Sequence, residues 1–368
     1  MKILFYAING IGMGHLSRLI GIAEEIMNLK SNTHSFFISE ISDTRFLKFH
    51  KLPFFHLPPL HAIMDDDQWS GAREDYLKAW NQAIRGSIVG FSPGLVVYDT
   101  LVPLGVIEAV SSASEKPKEA FILRKRNNLK QFFIDNQKIF DRVELIVFPH
   151  DRDEIEIEEI PEQFRNKTFF SGAVIRRDTN KVELEPIKEK YNILNSEINI
   201  VVTNGGGNSV YDDGFTDLIS RVFNHLDQRL PKYKLFVFTG PLLQRSIESI
   251  KLKNGKLIMN DYEPLLIDLM AASNLVICRG GYNTVNECAA LGVPTISIPS
   301  FRTSDDQRHR VSAYSQKYQN IIQVGLEQDQ ISKTILSAIN KDKWQFNPKV
   351  YDKFYYNKKE LAQKILSL

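Results

Sequence analysis

Short apolar runs alternate with amphipathic stretches along this chain, in the order expected of a parallel α/β protein. Residues 3–8 form a continuous apolar run, as strands buried on both faces do, and a glycine-rich segment follows at 9–14. A helix is predicted from there to about residue 29, with Leu16, Leu19, Ile20, Ala23, Ile26 and Met27 on one face. Further strands are predicted at 35–39, 54–57, 95–98, 121–123, 142–148 and 168–175, and a helix at 75–87. The stretch 176–190 is mostly polar and contains Pro186, which reads as an interdomain linker. The pattern then restarts with a strand at 197–203 leading into Gly205, Gly206 and Gly207. Strands are predicted at 233–238, 256–259, 275–278, 295–298 and 321–324, with helices around 265–272, over 284–291 and up to about 317. A terminal helix is expected within 346–368.

The stretch 276–299 is the most informative. It reads as strand, glycine turn, helix, short loop, strand, with Gly292 and Pro294 ending the helix. At Gly280 and Gly281 no side chain would block the backbone from a ligand. The helix start after them offers free N–H groups and a positive dipole end, which suit a phosphate. Glu287 lies about one turn in, where a carboxylate can accept ribose hydroxyl protons; a solvated glutamate in an ordinary strand-turn-helix is the plain alternative.

In the first half, Gly10, Gly12 and Gly14 do not have the G-x-G-x-x-G spacing of a dinucleotide site, and Glu40 is a weak match for the acidic residue such a site needs. A nicotinamide enzyme is disfavoured. His15 lies at the mouth of this loop, at the C-terminal end of the first strand, where open α/β sheets bind ligands. Its ordinary pKa suits a general base, although a lone histidine also serves structure. Asp99 ends another strand. It is placed either to orient that imidazole, to bind a hydroxyl, or to cap a helix. Arg124 begins a basic turn, to meet an anion or solvent. D-x-D patterns at 65–67 and 151–153 do not follow clear strands, so no metal site is expected.

The segment 280–287, the following Ala-Leu-Gly-Val-Pro and the pair Asp306-Gln307 resemble the donor-binding half of the family 28 glycosyltransferases. Gly12-Met-Gly-His15 matches that family's Gly-x-Gly-His segment, and Arg18 and the Thr239-Gly240-Pro241 segment fit a less characterised branch of it. The resemblance implies a GT-B fold: two facing, doubly wound Rossmann-like α/β domains with mainly parallel sheets. It implies domains at 1–176 for the acceptor and 177–345 for the donor, with 346–368 packing back toward the first. It implies donor contacts from Gly205, Gly206, Gly207, Thr239, Gly240, Asp261, Arg279, Gly280, Gly281, Asn283, Thr284, Glu287, Asp306 and Gln307. His15 and Asp99 are implied near the reacting acceptor, with Gly12, Gly14, Arg18 and Arg124 lining that side. Arg310 stands where the better-known members have asparagine, which leaves the sugar open.

Composition narrows the picture further. The 368 residues carry a net charge of +2, which gives no field for nucleic acid. The two cysteines, Cys278 and Cys288, exclude a disulfide scaffold and suit a reducing compartment. Residues 1–8 lack the features of a secretory leader, and no apolar run approaches the ~20 residues of a spanning helix. A cytoplasmic protein is expected. Peripheral membrane contact stays open, and no partner protein is evident. The resulting expectation is an inverting, metal-independent, cofactor-free transferase using a nucleotide-sugar, UDP-linked, and an unidentified acceptor. A nucleotide-sugar hydrolase or 2-epimerase, or a non-catalytic sensor, are the alternatives.

Overall fold

The computed structural model describes residues 1–8, 13–41, 43–57, 73–100, 105–111, 113, 115–206, 214–241, 243, 249–300, 307–339 and 353–368. The chain divides into two units, Met1–Arg176 with Tyr355–Leu368, and Arg177–Phe354.

The first unit is built on seven strands: β1 (Lys2–Ala7), β2 (His34–Ser39), β3 (Phe54–His56), β4 (Leu95–Asp99), β5 (Lys118–Ile122), β6 (Leu145–Phe148) and β7 (Thr168–Phe170). Their order is β3-β2-β1-β4-β5-β6-β7, and every pairing is parallel. Strand order reverses between β1 and β4, paired through Tyr6 and Tyr98. Ligands of open α/β sheets bind at such a reversal, beyond the C-terminal strand ends. The helix Gly14–Leu29 buries Leu16, Leu19, Ile20, Ala23 and Ile26. Its Gly21 lets the backbone of Arg176 pass close by, since a Cβ there would lie 2.8 Å from Arg176 Cα. The helix Lys353–Leu366 completes this unit, with Leu361 and Ile365 fully buried. Its Lys358 donates to the Arg176 carbonyl at 2.9 Å and Asn357 to that of Ala173 at 3.1 Å.

The second unit has β8 (Ile198–Thr203), β9 (Tyr233–Phe238), β10 (Gly255–Asn260), β11 (Leu275–Cys278), β12 (Thr295–Ser297) and β13 (Ile321–Gln323), again all parallel, in the order β10-β9-β8-β11-β12-β13. The reversal falls between β8 and β11, with Thr203 opposite Cys278. Both sheets are therefore wound in the same way around their first strand.

Two expectations need correction. The stretch 176–190, read as a polar linker, contains a helix, Leu184–Tyr191. Ile187 is buried, packed with Val182, Leu184 and Tyr191 into a core that includes Ile267 and Met270. Pro186 is tolerated because it occupies the first turn, where no intrahelical N–H bond is lost. The strand expected to reach residue 175 ends at Phe170. Gly172 adopts φ +70 just beyond it, and a Cβ there would collide with Asn357 at 2.3 Å.

Candidate functional site

The C-terminal ends of β1 and β4 assemble a polar cluster. His15 and Arg18 lie three apart on the helix Gly14–Leu29, hence on one face. Asp99 is the last residue of β4 and is fully buried. His15 Nδ1 lies 2.7 Å from Asp99 Oδ1. Arg18 donates Nε–H to Asp99 Oδ2 at 2.8 Å and Nη2–H to Oδ1 at 2.6 Å. Thr100 donates its hydroxyl to Oδ1 at 2.6 Å. Thr100 holds φ +64, a left-handed conformation that is an outlier for a β-branched residue. The backbone is bent against its preference at the point where the hydroxyl meets the carboxylate.

Electrostatics follow from this packing. Burial acts to raise the Asp99 carboxyl, but the Arg18 charge and the hydrogen bonds from His15 and Arg18 prevail and hold it well below the usual carboxylate range. The ionised carboxylate accepts the Nδ1 proton of His15, which leaves Nε2 with the lone pair. Among the described residues Nε2 has no hydrogen-bond partner, and the side chain keeps 19% of its surface exposed. Burial lowers the imidazole below its ordinary range, against the pull of Asp99, and the Arg124 and Arg18 charges lower it further. The result is a neutral, oriented imidazole, as a general base needs. His150 shows the contrast: Nε2 accepts the Lys125 N–H at 3.0 Å and Nδ1 bonds Glu154 at 2.8 Å, so neither nitrogen remains for a substrate.

In the second unit the ends of adjacent β8 and β11 carry the two glycine turns. Gly205 takes φ +63 and donates its N–H to Thr203 Oγ1 at 3.2 Å. Gly281 is the N-cap of the helix Tyr282–Leu291, and Cβ atoms at Gly205 or Gly281 would meet open space. Gly280 differs from the expectation of a turn kept bare for a ligand. A Cβ on it would lie 2.9 Å from Val311 Cγ2 and 3.0 Å from Gln307 Cβ, so this glycine admits the helix Gln307–Lys317. Gly280→Ala is therefore expected to lower stability by about 1–3 kcal/mol through overpacking. Gly281→Ala, in open space at φ −62, is expected to cost well under that; urea denaturation of the two variants checks the contrast.

The structure distributes the remaining predicted residues unevenly. Asn283 and Thr284 are half-buried in the first turn of the helix, and Glu287 is buried within it. Arg279 is buried, with its guanidinium 4.8 Å from the Phe215 ring centre. Gln307 is buried, and its Oε1 accepts from the Ser300 N–H at 3.1 Å and hydroxyl at 2.9 Å. Thr239 and Gly240 follow β9, with Gly240 at φ +88, and Asp261 is exposed after β10. Gly14 opens the first helix, and half-buried Arg124 follows β5. Arg18, expected to line the acceptor side, is 1% exposed and holds Asp99. Gly12, Gly207, Asp306 and the acidic run 65–67 lie outside the described residues. Among the described residues no group of three or more His, Cys, Asp or Glu is placed to hold a metal ion, and no helix is long and apolar enough to cross a membrane.

Two attachments escaped the sequence reading. Arg310, one turn after Gln307, donates to the Gly280 carbonyl at 2.9 Å and fastens the glycine turn to the next helix. Thr100 was hidden because nothing in its neighbours announces a positive φ. The i, i+3 spacing of His15 and Arg18 was the available sign of a shared face.

Comparison with known proteins follows the same division. Residues 199–364 match the glycosyltransferase family 28 C-terminal domain. The UDP-N-acetylglucosamine–N-acetylmuramyl-(pentapeptide) pyrophosphoryl-undecaprenol N-acetylglucosamine transferase of Alkaliphilus metalliredigens is 30% identical over 178 residues, 45% of this chain and 46% of that protein. The chain thus spans about half the length of the curated relatives it matches. Among solved structures, the UDP-GlcNAc 2-epimerase of Neisseria meningitidis, bound to UDP-GlcNAc, superposes with TM-score 0.65 at 14% identity, covering 100% of both chains. MurG of Acinetobacter baumannii superposes with TM-score 0.55 at 11% identity, covering 100% of this chain and 99% of that one. Residues 199–364 thus carry the match to the family 28 glycosyltransferase C-terminal domain, and the chain has the GT-B fold.

Proposed function

We propose that this protein transfers a sugar from a nucleotide-diphosphate sugar, UDP-linked, to an acceptor hydroxyl, with inversion and without a bound metal ion. The observation that carries the reading is the 2.7 Å contact of His15 Nδ1 with Asp99, which leaves Nε2 as the proton-accepting nitrogen. The acceptor hydroxyl gives its proton to Nε2 as its oxygen bonds the anomeric carbon. The bond from that carbon to the diphosphate breaks, and the diphosphate leaves with the electron pair. Attack opposite the leaving group inverts the anomeric centre. The developing phosphate charge meets the positive dipole end at the start of Tyr282–Leu291 and the glycine backbone at Gly205 and Gly206; such preorganised dipoles do electrostatically what a cation does elsewhere. A UDP-linked donor is favoured because the Alkaliphilus relative is named for UDP-N-acetylglucosamine and the Neisseria structure binds it.

A thermal-shift screen across nucleotide diphosphates and their sugars tests the donor side. UDP or a UDP-sugar at about 100 times its Kd is expected to stabilise the native state by ~2.7 kcal/mol. No response to any nucleotide overturns the reading. A poised imidazole also activates water, so product analysis without acceptor is the second arm. Free sugar or an epimer released at the transfer rate replaces the transferase with a hydrolase or 2-epimerase.

A further inference from the structure

The Asp99 carboxylate carries more donors than orienting one imidazole requires. Oδ1 faces His15 Nδ1, Arg18 Nη2 and the Thr100 hydroxyl, and Oδ2 faces Arg18 Nε. The guanidinium is 1% exposed and the carboxylate fully buried, so the two opposite charges cancel inside the first unit. We propose that Arg18 is a positioning residue: its two-point grip on Asp99 fixes the carboxylate so that His15 is held as the Nδ1–H tautomer, with Nε2 left to take the acceptor's proton. This rests on the base role proposed for His15.

The chemistry has a definite sign. An Asp–His pair without a counter-charge favours the imidazolium, because the carboxylate attracts the extra proton. Arg18 offsets that attraction. Among the described residues, the charged groups acting on the ring are Asp99 on β4, Arg18 on its own helix and Arg124 after β5. Two of the three are cations. They keep the ring neutral to lower pH than the Asp99 pairing alone would allow. A planar fork is needed to bond both carboxylate oxygens while leaving Oδ1 in line with Nδ1; an ammonium offers no such fork.

The test uses the full chain with His15 observed by long-range nitrogen–proton NMR, beside the pH profile of turnover. In the unaltered protein the neutral His15 is expected as the Nδ1–H tautomer. Arg18→Gln removes the charge and keeps a hydrogen-bonding group. Its His15 titration midpoint, and with it the acid limb of kcat, is expected to move upward. Arg18→Lys keeps the charge and loses the fork. Its midpoint is expected near that of the unaltered protein, while kcat falls about 10- to 100-fold, as when a group supporting a functional histidine is lost. Thr100→Val, which keeps Arg18, serves if the glutamine variant does not fold; it is expected to leave the midpoint low. An Nε2–H tautomer in the unaltered protein, or equal midpoints in folded Gln and Lys variants, overturns the assignment. These readings come from His15 itself, so an upward shift in Arg18→Gln without any sugar transfer would uphold the positioning role and remove the transferase.

Discussion

Replacing His15 by alanine is expected to lower kcat by about 10²–10⁴-fold, the usual contribution of a positioned general base. The donor's KM is expected to change little, because the glycine turns belong to the other unit. The fold is expected to survive. Asp99 keeps both Arg18 bonds and the Thr100 hydroxyl, so no buried charge is left alone. Steady-state kinetics with saturating donor, alongside a melting curve, separate these effects. Turnover that persists unchanged in a folded variant means that His15 does not take the proton. The lowered imidazole pKa adds a second reading: in the unaltered enzyme the acid limb of kcat is expected below the ordinary imidazole range, since the neutral form is the active one.

Asp99→Ala is expected to be the costliest single change to the fold. It strands the buried Arg18 guanidinium, at about 3–5 kcal/mol for breaking a buried pair from one side. It also removes the acceptor of the His15 Nδ1 proton, so any folded fraction should turn over poorly. Urea denaturation gives the stability term directly. The same ion pair sets a pH dependence. The folded carboxyl lies below its unfolded range, so the unfolded chain binds the proton first as the solution is acidified. The stabilisation is complete above the unfolded pKa of about 4 and declines as pH falls from there toward the folded value. Asp99→Asn, which cannot ionise, is expected to flatten that part of the curve; a variant as acid-sensitive as the unaltered protein would place the effect elsewhere.

Much of the architecture was legible because parallel strands buried on both faces read as apolar runs. β1, β4, β8, β9 and β11 were recognised within a residue or two at each end. The helix Leu184–Tyr191 was misread because its proline and charges outweigh three apolar positions by count, although those three share a face. Short helices such as Leu129–Asp135 and Gln137–Arg142 carry too few turns for a period to stand out. In the site, the types of residue were visible but not their attachments. Gly280 and Gly281 look equivalent in the sequence, yet one makes room for Gln307 and Val311 and the other opens on space. The resemblance assigned Arg18 to the acceptor side, but nothing in its neighbours announced its two bonds to Asp99.

Local order along the chain was enough to determine two α/β units, each with a glycine loop after its first strand, and to bring His15, Asp99, Gly205 and Gly281 forward as candidates. Those features depend on runs, periods and turns, whose causes lie within a few residues of one another. Only the tertiary structure decided that Asp99 meets His15 and Arg18 across more than 80 positions of sequence, and that Arg310 grips the turn of Gly280. Such pairings arise from which strands lie side by side, and that is settled by the burial of whole sheets rather than by any neighbour in the chain.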